Sequence, residues 1–533
     1  MRLNWLGILI LIAAGLVLVH NLAAWKDVEF GDETTYLGSG LAFSIPFKGG
    51  AQWGPLYAAW YAFWHLFVPD SLDLYYFNWA LLSILAGITV FLFLRSLKVS
   101  FEASIWLSVL FLFSAQNLPL NPKISIAPFC LILGALALIY FKRWSYFQRF
   151  VVVAITGLLC AYIRPEFYVS FIVGTMLAIG WGWREKAFKT SNDLVVAVVF
   201  GTGALVLHLL FGNPLFSGND SRSAVAFQQH FVVNYCAWIH QPEPSTIEAQ
   251  LRLFHEVLGK DVETFTDALT KQPTWAFKHL FTNIAHTLSA NLKNIVDTFY
   301  QTLFRGWYSV WRSVLALILV VVFLGLVDYR ATWQNIRNKG IDAWGLVALL
   351  SLIVPTLIAT VLIYPRTHYL VFHLIFVLWI IAYIANRLVF RKLTIGQYIP
   401  MTVLSTVILM GWVSLQFSTY HRQVATPTAD NVRFVTKIQP QQRLRVLERD
   451  WYRVFLKEES DWIHVEEYTD GDFMKFVQQK NINFILMTQD MQAYFAKDAG
   501  FQNFANQFQT QGFTKLKTNS SGDYLFIKQT LIP

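Results

Sequence analysis

The 533-residue chain is 55% hydrophobic and 16% aromatic, with only 14% charged residues. A water-soluble protein of this size normally carries about a quarter charged residues, so most of this surface is expected to face something other than water. The net charge of +9 is dispersed in short groups between apolar runs, which excludes a long basic stripe for nucleic acid and suits cytoplasmic membrane loops. Three cysteines (Cys130, Cys160, Cys236) form neither a disulfide framework nor a metal-finger spacing.

Met1-Arg2-Leu3 precedes an apolar run from Trp5 to Ala24. The run is long enough to span and lacks a small-x-small cleavage site, so it reads as an uncleaved first transmembrane helix. Phe30-Gly31-Asp32-Glu33-Thr34-Thr35-Tyr36 follows at once. Adjacent carboxylates at a membrane surface repel one another unless a cation or substrate compensates. Asp32 or Thr34 also suits the cap of a helix beginning there. Trp53 to Phe67 is aromatic but short for a span, and its Trp, Tyr and His content suits a helix lying in the interface.

Further apolar runs fall at 73–95, 101–118, 124–141, 150–164, 166–183, 194–212, 308–327, 343–364, 369–386 and 398–417, making about eleven transmembrane helices. With the N-terminus inside, the inside loops carry Arg2, Arg95, Lys98, Lys142, Arg143, Arg149, Arg184, Lys186, Lys189, Arg330, Arg337, Lys339, Arg387, Arg391 and Lys392. The short outside loops hold only Lys26, Lys48, Lys123, Arg164 and Arg366, an asymmetry that sets the orientation. Counting 53–67 as a span would put basic loops on both faces. Two parts then lie outside. Residues 213–307 begin as a loop, Asn213 to Ser223, and hold helical stretches at 245–259 and 275–289. The tail from about 420 to 533 alternates strands (Leu444–Leu447, Trp462–Val465, Phe484–Thr488, Tyr524–Lys528) with helices (Asp472–Lys480, Met491–Ala499). The expected fold is an α-helical polytopic membrane domain, 1–419, followed by a small C-terminal extracytoplasmic α/β domain, 420–533.

The outside face thus gathers Asp32, Glu33, the aromatic helix around Tyr57, and cations at Lys123, Arg164, Arg305, Arg312 and Arg366. Snorkelling to lipid headgroups would explain such cations one by one. Together with the carboxylates they fit a reaction on a phosphate-bearing lipid. In glycosyl transfer from a polyprenyl-phosphate sugar the leaving phosphate departs without protonation. One carboxylate then suffices as base toward an acceptor hydroxyl, while Arg or Lys steadies the phosphate. A glycosidase usually needs two carboxyl groups across the scissile bond, which sequence neighbours do not easily provide. There is no further acidic pair with a metal spacing.

The chain resembles the glycosyltransferase C superfamily, which includes lipid A aminoarabinose transferases and protein O-mannosyltransferases. The matching features are the outward Asp32-Glu33 after the first span and Gly54-Pro55-Leu56-Tyr57. Arg164-Pro165-Glu166 between spans, Arg366-Thr367-His368-Tyr369 entering a late span and the α/β tail add to them. The resemblance implies a transferase using polyprenyl-phosphate-linked sugars in the bacterial plasma membrane, with a lipid, glycan or protein acceptor. It implies Asp32 as the catalytic carboxylate and Glu33 as its assistant. Arg366, Arg164, Lys123, Tyr57, His368 and Tyr369 are the candidate substrate-binding residues. Some members need a divalent metal, and no motif here assigns one. The rival expectation is a flippase for lipid-linked sugar or another transporter, which would favour ionisable groups at mid-membrane and related halves. A scaffold with a partner-binding tail leaves the Asp32-Glu33 loop unexplained.

Overall fold

The computed structural model describes residues 2–531 except 143, 187–190, 215–221, 245–246, 306–313, 315–317, 319–320, 322–326, 339, 390–406, 417–423, 439–442, 451, 457–459 and 470. The helices begin with α1 (Arg2–Val19), α2 (Asp32–Leu41), α3 (Pro55–His65), α4 (Ser71–Ser96), α5 (Phe101–Leu112), α6 (Lys123–Phe141) and α7 (Tyr146–Ala161). They continue as α8 (Tyr168–Arg184), α9 (Ser191–Phe211), α10 (Arg222–Trp238), α11 (Ile247–Leu258), α12 (Phe265–Lys271) and α13 (Pro273–Ile295), which runs on into a π-helical stretch, Val296–Gln301. Then come α14 (Tyr329–Asn338), α15 (Ala343–Leu362), α16 (Thr367–Ala385) and α17 (Val407–Gln416). The tail holds α18 (Pro427–Ile438), α19 (Phe473–Gln479), α20 (Gln489–Tyr494) and α21 (Ala499–Gln507).

Six segments among the described residues are helical, long and apolar enough to cross a membrane: Asn4–Ala24, α4, α6, α9, α15 and α16. They coincide with six of the eleven expected spans. Of the rest, α5, α7 and α17 are shorter apolar helices, and α8 occupies the expected 166–183 span. The span expected at 308–327 lies almost wholly outside the described residues, as do Arg312 and the first half of the 398–417 run. Helix α5 stops at Leu112, and the chain forms turns from there to residue 118. Pro119 has no N–H and disfavours helix in the residue before it. The polar groups that follow turn inward instead: Asn117 Nδ2 donates to the Ser83 and Leu112 carbonyls at 3.1 and 3.0 Å.

The chain divides into two compact units. The first comprises Met1–Leu18, Phe43–Ala59 and Ala80–Thr419. Its tightest pair is α7 against α8. A Cβ on Gly157 would stand 2.5 Å from the Phe171 nitrogen, and one on Gly174 would stand 2.7 Å from the Ala154 nitrogen. Only glycine lets two backbones approach so closely, a recurrent way of joining helices in hydrocarbon. Helix α9 buries none of its residues although it is apolar all round, which suits a helix surrounded by lipid.

The second unit comprises Val19–Ala42, Trp60–Trp79 and Tyr420–Pro533. Its sheet has the order β2-β1-β3-β5-β4, with β1 (Arg445–Glu448) parallel to β2 (Asp461–His464) and β3 (Phe484–Met487). β5 (Tyr524–Lys528) runs antiparallel to β3 and to β4 (Phe513–Lys517). The all-buried β3 (FILM) is the apolar run expected of a central strand. Phe473, Phe495, Phe501, Phe504 and Phe526 fill the core beside it. β4 was not expected, because its Phe-Thr-Lys-Leu-Lys alternation at the sheet edge is mostly solvent-facing. The helix expected over Met491–Ala499 is instead two helices. Thr488 accepts the Met491 N–H at 3.3 Å to start α20, and Asp498 accepts the Phe501 N–H at 2.6 Å to start α21.

The segment after the first span belongs to this same unit. Asp27 accepts the Thr428 and Ala429 amides at 3.0 and 2.8 Å, capping α18 across the whole length of the chain. The Phe30 ring lies 4.7 Å from Tyr452, edge to face.

Candidate active site

Asp32 and Glu33 open α2 behind the N-cap residue Gly31, in the first turn, where the helix dipole favours negative charge. Consecutive helical residues point about 100° apart, so the two carboxylates meet different surroundings. Glu33 is buried, 3% exposed. Tyr61 Oη donates to its Oε1 at 2.5 Å and Asn78 Nδ2 at 2.8 Å. Asn78 also reaches Tyr61 Oη at 2.8 Å, and its own Oδ1 accepts Trp60 Nε1 at 2.8 Å. Asp32 is partly exposed, and among the described residues no hydrogen bond or ion pair engages its carboxylate. The cap duty falls to Thr34, whose hydroxyl accepts the Gly31 N–H at 3.1 Å. One carboxylate is thus anchored and its neighbour left available.

Lys26 adds a cation to the same unit. Its ammonium is buried over the Trp79 ring at 4.0 Å and paired with Glu29 at 2.8 Å. Burial lowers its pKa, against the opposing pull of Glu29, Glu33 and Asp27.

The expected phosphate-binding cations belong to the first unit, and burial leaves two of them no room to snorkel. Arg164, 1% exposed, donates through Nε to Glu166 at 2.8 Å and through Nη1 to Ser125 Oγ at 3.0 Å, and lies 4.4 Å from the Tyr369 ring. Lys123, 0% exposed, donates to the Asn117 carbonyl at 2.5 Å. Tyr57 and His368 are buried as well, with the His368 and Tyr369 rings 4.7 Å apart.

Among the candidate cations that the structure describes, Arg366 alone is exposed. Its Nε donates to His230 Nε2 at 2.6 Å, while His230 Nδ1 lies 2.6 Å from the Ala226 carbonyl. That pattern needs a neutral imidazole protonated on Nδ1. Burial, aided by the Arg366 charge, pushes the His230 pKa down to about 4. The guanidinium is therefore oriented through Nε, with no other side-chain contact among the described residues drawing on Nη1 and Nη2. Such a fork suits a phosphate or carboxylate. Arg222, also in this unit, is held over Trp53 at 5.3 Å and donates through Nη1 to the Gln52 carbonyl at 3.2 Å.

The structure thus brings Arg164 together with Tyr369, and keeps Lys123 on its own partner. Sequence reasoning missed His230, Tyr61, Asn78 and Arg222. His230 stands 136 residues from Arg366, and nothing local marks it. Among the described residues no group of three or more His, Cys, Asp or Glu side chains is placed to hold a metal ion.

No protein-family model and no curated protein matches the chain. Solved structures with some likeness include the Archaeoglobus fulgidus oligosaccharyltransferase in its apo form. That match has a TM-score of 0.40 and 11% identity, covering 99% of this chain and 75% of the other. The same enzyme in complex with zinc and sulfate matches with a TM-score of 0.36 and 12% identity, covering 99% and 74%.

Proposed function

We propose that the protein is a membrane glycosyltransferase that moves a sugar from a polyprenyl-phosphate donor to an acceptor hydroxyl. The observation that carries this reading is the division of labour in the acidic pair. Glu33 is consumed by Tyr61 and Asn78, while Asp32 stays partly exposed with a carboxylate free to take a proton. In the proposed step Asp32 removes the acceptor hydroxyl proton as the acceptor oxygen bonds to the anomeric carbon. The bond from that carbon to the phosphate oxygen breaks, and its electron pair leaves with the phosphate. Arg366 steadies the charge that develops there. Glu33 acts by fixing the first turn of α2. Arg164, Lys123, Tyr57, His368 and Tyr369 shape the donor side from within the protein.

The reading also assigns the protein to a bacterial plasma membrane, N-terminus inside and the 420–533 domain outside, with membrane lipids and a lipid, glycan or protein acceptor as partners. Periplasmic phosphatase fused after residue 420 is then active, and a cytoplasmic fluorescent fusion there is dark. The decisive experiment is mass spectrometry of envelope glycolipids and glycoproteins in a deletion strain. Wild type restores the missing glycoform, and Asp32→Asn, expressed at the same level, does not. A missing general base typically costs about 10²–10⁴-fold. Arg366→Ala also fails, and Arg366→Lys restores part, because an ammonium cannot reproduce the fork. Full restoration by Asp32→Asn refutes the reading.

A further inference from the structure

Helix α13 carries its polar side inward. Asn283, Thr287, Asn294 and, past the end of the helix, Thr298 and Thr302 are buried. Phe277, Phe281, Leu288, Leu292 and Val296 are exposed by 48, 65, 68, 65 and 38%. Spacings of three and four residues put the two sets on opposite faces of one helix. A helix on a water-soluble surface has the reverse arrangement, apolar side in and polar side out. Between Phe281 and Val296 the only formally charged side chain is Lys293, on the flank of the stripe, with a stem long enough to reach polar surroundings.

Most of the polar side is used, with Thr287 Oγ1 and Asn294 Oδ1 left without a partner among the described residues. Asn283 Nδ2 donates to the Val361 and Ile363 carbonyls at 3.1 and 3.0 Å, and His279 Nε2 lies 3.0 Å from the same Ile363 oxygen. These carbonyls terminate α15, where no further turn satisfies them. Farther along, Asn291 Oδ1 lies 2.9 Å from His373 Nδ1, and Asn294 Nδ2 donates to the Leu370 carbonyl at 3.2 Å. The start of α13 thus meets the end of α15, through 279 and 283, and its last turns meet the body of α16, through 291 and 294. Leu370 and His373 are three and six residues past Thr367, roughly 5 and 9 Å into a spanning helix at ~1.5 Å per residue. Side-chain amides bonded between helices, with apolar residues outward, are how helices associate in hydrocarbon.

We propose that this face of α13 is a lipid-contacting surface, with Phe281, Leu288, Leu292 and Val296 covered by the acyl chains of the bilayer. The segment was expected outside the membrane, because hydropathy averages over a circumference that is half polar. The proposal is independent of the transferase reading, since it concerns only what the helix touches.

Spin labels at single cysteines test it in the full chain reconstituted in phospholipid vesicles, with Cys130, Cys160 and Cys236 replaced by alanine. Labels at Phe281→Cys, Leu288→Cys and Leu292→Cys should collide with oxygen more than with a water-soluble nickel chelate. A label at Glu248→Cys on α11 should show the reverse. Preference for the nickel chelate at the three positions means water covers the face and overturns the proposal. Poor access to both reagents with spin–spin broadening means a second copy of the chain covers it, which also overturns the proposal. The unsubstituted protein gives a second reading that no labelling defect can spoil. Vesicles of phosphatidylcholine bearing a photoactivatable acyl chain should cross-link peptides within 277–296, and absence of adducts there overturns the proposal.

Discussion

Replacing Glu448 with glutamine should remove a pH-dependent weakness from the tail. Glu448 ends β1 and is 2% exposed, and among the described residues neither carboxylate oxygen has a partner in hydrogen-bonding geometry. The pocket it lines with Val432, Val435, Tyr452, Phe455 and Phe484 is apolar and about 10 Å³ in volume, at the lower limit for a single water. Burial raises its pKa from 4.5 to about 8, outweighing the nearby Arg453 charge and the Tyr452 and Arg453 amides. The folded state thus holds a proton that the unfolded state releases near pH 4.5. Stability therefore falls as pH rises from 4.5 toward 8. At ~1.4 kcal/mol per pH unit the cost approaches roughly 3 kcal/mol at pH 7 and levels off near 5 kcal/mol above pH 8. Glutamine carries no charge and abolishes that dependence. For a unit of this size about 3 kcal/mol corresponds to a melting shift of roughly 6–12 °C. Thermal unfolding of full-length Glu448→Gln and wild type, at pH 5 and pH 8 in the same lipid, should give curves that meet at pH 5 and part at pH 8, with the variant the more stable. Equal pH dependence in the two proteins refutes the reasoning.

Four further outcomes follow from the geometry. Tyr61→Phe removes one charge-assisted hydrogen bond from Glu33 and should cost about 1.5–3 kcal/mol in thermal unfolding. Asn78→Ala should cost more, because the same amide serves Glu33, Tyr61 and Trp60. His230→Ala leaves the Arg366 guanidinium unoriented. Half-saturating donor concentration should rise roughly 2–10-fold, with a smaller change in maximal rate, because Arg366 keeps its charge and loses only its orientation. Asp27→Ala removes the cap of α18 and should cost about 1 kcal/mol, read as faster hydrogen exchange at the Thr428 and Ala429 amides.

The sequence announced the spans and strands whose character is uniform. Runs such as α4, α9 and α16 are apolar over a spanning length, and the β3 run Phe484–Met487 is apolar on both faces. It concealed elements whose two faces differ in the unfamiliar direction, α13 above all, and β4 with its outward lysines. The acidic pair was legible as a candidate site because it directly follows the first span, where adjacent carboxylates repel one another unless something compensates them. Which member is free was not, since Tyr61 and Asn78 stand 28 and 45 residues away from Glu33. Lys123 and Arg164 could be placed between apolar runs, but their partners could not be read. Asn117 and Ser125 are ordinary polar residues until the chain folds them against those cations.

The Asp27 cap on α18 joins residues 401 and 402 positions apart. A ribosome adding about 5–20 residues per second needs on the order of 20–80 s to make the intervening chain. During that interval the segment carrying Asp32 exists without the helix that Asp27 caps and without Tyr452 against Phe30. The earliest loop of the protein waits on its last domain. A nascent chain released before residue 427 carries every residue of the acidic pair and its anchors, yet leaves the Asp27 carboxylate without the amides it holds in the finished molecule. Synthesis itself thus orders the assembly of this unit: acidic loop first, its fastening last.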